Sequence, residues 1–438
     1  MSSFILVKMN RNCLFFYDLC AKIKNMIQFT KKQLANGLKV LVNSDTSTQL
    51  ITVNIMYNVG ARDENPHKTG FAHLFEHLMF EGSRHIKHFD KPVEDAGGMS
   101  NAFTNNDVTN YYITLPAVNM ETAFWLESDR MLELDFNQEK LDIQKKVVIE
   151  EFKERYLNKP YGDVWHHLRS MCYTQHPYQW PTIGKNVAHI EEAGLEDVRS
   201  FFFSHYAPNN AVLVVSGNVE AETVFDMAEK WFGDIPAREI QKRNLSKEPV
   251  QTERRQIEVS ADVPKNMFYM AFPMPGFDQE GYHAVDFLTE ILGYGESSRL
   301  FHRLVVEEQI FDDIHAYVLG SFDEGLAIIS GMPSESVSFE KAEEKVWEVL
   351  EDLKQNLLPE EEILKLKNKA ETAEAYALDN TQSRALKLAL FETLGDAGRA
   401  NYIRGKYNAL QASELMETAA QYFKPEYANV LHYKGKSK

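Results

Sequence analysis

The chain has 438 residues, 44% of them hydrophobic and 25% charged, a globular composition long enough for two or more domains. A net charge of −17 argues against a general nucleic-acid binder, which needs a basic surface. Three scattered cysteines, Cys13, Cys20 and Cys172, give neither a disulfide framework nor a thiolate zinc site, and no apolar run reaches membrane-spanning length.

Residues 1–25 are mildly basic and partly apolar, broken by Lys8, Arg11 and Asp18, with no small-residue cleavage site behind them. This predicts an extension outside the fold, Met26 as the natural start, and a cytoplasmic location, with a periplasmic or organellar one left open. Residues 34–58 predict strands, with a hairpin signal at Asn36-Gly37. The stretch FAHLFEHLMFEGS, residues 71–83, predicts a helix, because Phe71, Leu74, Phe75, Leu78 and Met79 recur at helical spacing. Residues 97–115, rich in Thr, Tyr and Asn, predict strand, turn and strand. Residues 119–157 read as helix with a break near 132–141, and 210–216 as a buried strand closed by Gly217.

The polar, proline-containing stretch 236–256 predicts a linker. Beyond it the order of elements repeats: strands in 255–276, a helix over 284–293, a strand over 326–333, and a long helix pair broken at 353–364. The expected fold is therefore α+β, with two similar domains at 26–235 and 257–438.

The helix over 71–83 carries the chemistry. Residues i and i+4 share a helix face about one turn apart, so His73 and His77 can grip one metal ion, with Glu76 in the same region. Two imidazoles suit zinc, and a catalytic zinc needs a third protein ligand and an open position. A glutamate-rich helix downstream, KKVVIEEFKERY at 145–156, offers carboxylates for it.

His-x-x-Glu-His is the inverted zinc motif. Together with GGMSNAFTNNDVTNYY, KKVVIEEF, HPYQWPTIG and YAPNNAVLVVSGNV, it makes the chain resemble the pitrilysin/insulinase family of zinc metallopeptidases. Its length and layout resemble the half-size members, such as mitochondrial processing peptidase subunits and their bacterial relatives. The resemblance implies two domains, each a mostly antiparallel sheet flanked by helices. It implies a zinc-dependent endopeptidase acting on peptides or small unfolded polypeptides. His73 and His77 are then ligands and Glu76 the general base. The third ligand falls at Glu151, with Glu150 and Glu154 as neighbours. Glu150 sits about 100° away on the helix, and Glu154 shares roughly the same face. Asn101, Ala102 and Phe103 match the edge strand on which the family binds substrate by strand addition.

Two positions depart from the family pattern. Seven residues before Glu151 the family commonly has a glutamate; here it is Gln144, so that acidic role is lost or moved. After Ser-Arg-Leu the family usually carries an arginine and, seven residues on, a tyrosine; here they are Val305 and Asp312, with Arg303 and Tyr317 nearby at the wrong spacing. The chain thus reads as the zinc half of a split site. A dimer is implied, in which a related subunit supplies the Arg/Tyr pair, or a homodimer that works without it or uses Arg303 or Tyr317. The alternative is a non-catalytic scaffold subunit of the same family. His85, His88, His166, His167, His176 and Tyr178 read as surface or packing residues.

Overall fold

The computed structural model describes residues 26–241 and 243–435, so the predicted N-terminal extension lies outside the described residues. Among the described residues, eleven strands form two sheets. The first contains β1 (Thr30–Gln33), β2 (Lys39–Ser44), β3 (Leu50–Tyr57), β4 (Met99–Thr104), β5 (Thr109–Pro116) and β6 (Ala211–Gly217), in the order β1-β2-β6-β3-β5-β4. The second contains β7 (Arg255–Ala261), β8 (Met267–Met274), β9 (Phe311–Leu319), β10 (Gly325–Pro333) and β11 (Asn429–Gly435), in the order β7-β11-β8-β10-β9.

The two sheets share one topology. In each, the last strand of its half inserts between two earlier ones, parallel to one and antiparallel to the other: β6 between β2 and β3, β11 between β7 and β8. All other neighbours are antiparallel. The duplication visible in the order of elements is a duplication of architecture, and among the described residues β1 is the one addition to the shared five-strand pattern.

Helices of eight or more residues are numbered α1 (Phe71–Leu78), α2 (Met120–Leu132), α3 (Gln138–Phe152), α4 (Val164–Cys172), α5 (Leu195–His205), α6 (Ala221–Phe232), α7 (Tyr282–Gly293), α8 (Phe339–Gln355), α9 (Glu360–Asp379), α10 (Thr381–Thr393) and α11 (Ala412–Tyr422). The break between α2 and α3 closes at Asn137, whose side chain caps α3 by accepting the Glu139 and Lys140 N–H groups. None of the described helices is long and apolar enough to cross a membrane.

Each sheet packs its own half's helices on one face and a helix from the other half on the opposite face. Val164, Leu168 and Met171 of α4, in the first half, lie against Tyr269, Ala271, Ile328 and Leu431 of the second sheet. Ala385, Leu388 and Ala389 of α10, in the second half, lie against Leu41, Met56, Val212 and Val214 of the first. A sheet covered on both faces wants continuous apolar strands, which is why β6 reads AVLVVSG and is buried at every position. Leu388 is fully buried in this cross-packing. Leu388→Ala is expected to cost about 2–4 kcal/mol, the usual range for a buried leucine. Denaturant unfolding followed by two probes, one in each half, checks it; both are expected to shift together.

Among the described residues, 236–254 form neither helix nor strand, but the segment is strapped down. Arg238 donates to the Leu132 carbonyl at 2.8 Å, Arg243 pairs with Asp63, and the Glu248 carboxylate accepts the N–H groups of Thr174, Gln175 and His176.

Candidate metal centre

α1 begins at Gly70, which has φ +90°, and a Cβ there would lie 2.7 Å from the Ile183 carbonyl oxygen. Only glycine fits such a start. The orphan N–H groups of the first turn go to a buried acid: Glu64 accepts from Gly70 (3.0 Å) and Ala72 (2.9 Å), and also from the Trp180 indole (3.0 Å). Burial pushes the Glu64 carboxyl up to about 8, against the pull of those three donors. Glu64→Ala leaves the Gly70 and Ala72 N–H groups buried and unpaired, at about 1–3 kcal/mol each before relaxation, while the Trp180 indole keeps its bond to the Ala61 carbonyl at 3.1 Å. The expected loss is about 3 kcal/mol in denaturant unfolding, with Glu64→Gln losing less because its amide keeps one acceptor.

The apolar stripe of α1 is buried as its spacing predicts. Phe71, Leu74, Phe75 and Leu78 enter the first core, and the Phe75 ring lies 5.2 Å from that of Tyr206. That fixes the helix rotation and turns His73, Glu76 and His77 away from the core. α3 crosses beside them and brings Glu151. Its Oε2 stands 3.8 Å from His73 Nε2 and 3.5 Å from His77 Nε2. One donor atom from each of the three residues lies within 4.8 Å of the others. Zinc–ligand distances of about 2.0–2.2 Å put neighbouring donors of a tetrahedral site about 3.3–3.6 Å apart. The observed cluster is therefore close to a closed grip, and two imidazoles with one carboxylate are a donor set that zinc takes.

The electrostatics agree. Burial pushes His73 down to about 4, so its ring is neutral, the form that ligates. Burial works against the charged form of His77 too, but the Glu151 and Glu76 carboxylates outweigh it and raise its pKa. Glu151 is held below the ordinary carboxylate range, first by its bond with His77. Burial raises Glu76 above that range, opposed by Thr104 and His77.

Of the rival acids, Glu150 points out and pairs with Lys153 at 2.7 Å, and Glu154 is exposed. The group beside Glu151 is instead Arg155 at 2.9 Å. Gln144 is buried facing His77, and its amide donates to Glu81 Oε1 at 2.5 Å, so a carboxylate does stand one residue further out.

β4 is the edge of the first sheet and packs beside α1. Asn101 is exposed there, and its side chain accepts the Ala102 N–H at 2.8 Å. Ala102 faces the first core, whereas the Phe103 ring packs into the cluster formed with α10, which leaves Phe103 only its backbone to offer a ligand. In the second half, Val305 packs on the core, and Asp312 is bonded to Lys265 and Ser334. Arg303 is held by Glu308 and Glu348, and Tyr317 packs against the α4 cluster. His85, read as a loop residue, is exposed but anchored to Asp129 at 2.6 Å. His166 packs against Phe152 and Tyr156, and Tyr178 is buried against Asp107.

Two copies of one sheet-and-helix unit, one of them bearing an inverted His-x-x-Glu-His helix, define the pitrilysin-like class of peptidase folds. The model of the insulinase family, peptidase family M16, matches residues 39–186, and that of the peptidase M16 inactive domain matches residues 193–370. The zinc protease PqqE of Helicobacter pylori is 30% identical over 400 residues, 89% of each chain. The crystal structure of a protease from Helicobacter pylori superposes with a TM-score of 0.89 at 27% identity, covering 93% of this chain and 100% of that one. Pitrilysin shares the fold at a TM-score of 0.75 and 17% identity, matching 94% of this chain but 45% of its own, so this chain spans just under half of pitrilysin's length. The chain belongs to the insulinase family of peptidases, family M16.

Proposed function

We propose that this chain is a zinc-dependent endopeptidase, in which His73, His77 and Glu151 hold the metal and Glu76 is the general base. The observation that carries the reading is the convergence of three donor atoms within 4.8 Å, with Glu76 on the same face of α1. When bound, zinc lowers the pKa of a coordinated water toward neutrality and draws charge from a carbonyl oxygen. The chain's own groups do the rest. Glu76, buried enough to be drawn toward the neutral form, accepts a proton at its carboxylate and returns it to the leaving amine nitrogen. The backbone of Asn101, Ala102 and Phe103 on the β4 edge pairs with an extended peptide. Main-chain pairing is indifferent to side-chain identity, so the substrate class is peptides and small unfolded polypeptides.

The working unit we propose is a dimer with a related subunit that brings the Arg/Tyr pair. The support is that Val305 and Asp312 offer no such pair and that Arg303 and Tyr317 are both engaged elsewhere. Cleavage of a quenched fluorescent peptide library by the purified chain tests this. Zinc bound without cleavage, and cleavage restored by a related subunit carrying the pair, is the expected result. Full activity of the chain alone contradicts the heteromeric unit.

A further inference from the structure

Glu151 divides its two oxygens. Oε2 faces the Nε2 atoms of His73 (3.8 Å) and His77 (3.5 Å), while Oε1 forms an ion pair with Arg155 Nη1 at 2.9 Å. Arg155 lies one turn on, where α3 runs into a π-helical turn, Lys153–Leu157, a departure from α geometry that often marks functional sites. The neighbouring cation Lys153 is committed to Glu150.

We propose that Arg155 is a positioning residue of the metal centre: by holding Oε1, it makes Glu151 present a single oxygen to zinc. This rests on the zinc reading above. A carboxylate can ligate through one oxygen or both. A catalytic site takes three protein donors and keeps one position open, and a second Glu151 oxygen would compete for it. A guanidinium paired with one oxygen at 2.9 Å opposes that competition electrostatically, by holding Oε1 toward its own charge. The pair has no other evident purpose. The Arg155 side chain is 67% exposed, and exposed ion pairs at this spacing add little to stability. Glu151 is 17% exposed, so its orientation is the thing the bond can fix. Groups that orient metal ligands typically matter about 10–100-fold in affinity or activity.

The test uses the full chain loaded with zinc alone, so it needs no substrate and no partner subunit. X-ray absorption at the zinc edge counts oxygen neighbours, and chelator competition gives the zinc Kd, for wild type, Arg155→Ala and Arg155→Lys. The alanine variant is expected to gain about one oxygen neighbour or, if the freed Glu151 turns away, to bind zinc at least ~10-fold more weakly. Lysine keeps the charge as a point donor without the planar fork, and falls between the two. Wild type loaded with zinc and Arg155→Ala unchanged in both readouts overturns the role of Arg155 alone. Wild type without zinc overturns the zinc reading, and this role with it.

Discussion

Glu76→Gln is expected to leave a folded, zinc-loaded protein whose peptide hydrolysis falls by about 10²–10⁴-fold, the usual worth of a positioned general base. Glutamine keeps the size of the side chain and its reach on α1, but it cannot accept a proton at neutral pH. Glu76 supplies none of the candidate donor atoms, which come from His73, His77 and Glu151, and its own side chain meets Thr104 of β4. Zinc content by elemental analysis and kcat on one quenched peptide are read from the same sample, with the related Arg/Tyr-bearing subunit present. Loss of turnover with zinc retained is the expected pair of results. Unchanged turnover would remove Glu76 from the mechanism, and an unchanged biological role without turnover would point to the scaffold alternative.

Glu151→Gln strikes the metal itself. An amide carries no charge, and its carbonyl oxygen is a far weaker zinc donor than a carboxylate, so the site would face a dication with two imidazoles and one weak oxygen. The loss of zinc affinity should exceed the ~10–100-fold that follows changes in merely supporting groups. Glu150→Gln is the internal control, because that side chain points outward to Lys153 and is expected to change zinc binding by less than about 3-fold. Full zinc occupancy in Glu151→Gln under chelator challenge, or loss of zinc from the Glu150 variant, would move the third ligand elsewhere.

The metal helix was the most legible part of the chain, because its period states both its buried stripe and its polar face in nine residues. The β4–β5 hairpin was equally plain from its Thr, Tyr and Asn content, and the repeated order of elements foretold the two alike sheets. Strand β11 went unread: NVLHYKG is short, comes after a run of helices, and is defined only by its slot between β7 and β8. The exchange of α4 and α10 between halves was also invisible. Periodicity says that Leu388 is buried, not that its partners are Val212 and Val214 far upstream. At the site, Glu151 was placed through family resemblance, since spacing alone left three acids in contention. Glu64 was missed because it caps α1 from an irregular loop and meets Trp180, 116 residues away. Arg155 carries a readable signal, because it falls four residues after Glu151, one helix turn on.

The most direct measurement of the central claim is zinc stoichiometry together with peptide hydrolysis for the purified chain, with and without a related Arg/Tyr-bearing subunit, before and after chelation. The account predicts about one zinc per chain, turnover that disappears with the metal and returns when zinc is restored, and neither property in Glu151→Gln. A chain that cleaves peptides after its zinc has been stripped, or that fails to bind zinc through His73, His77 and Glu151, would contradict it.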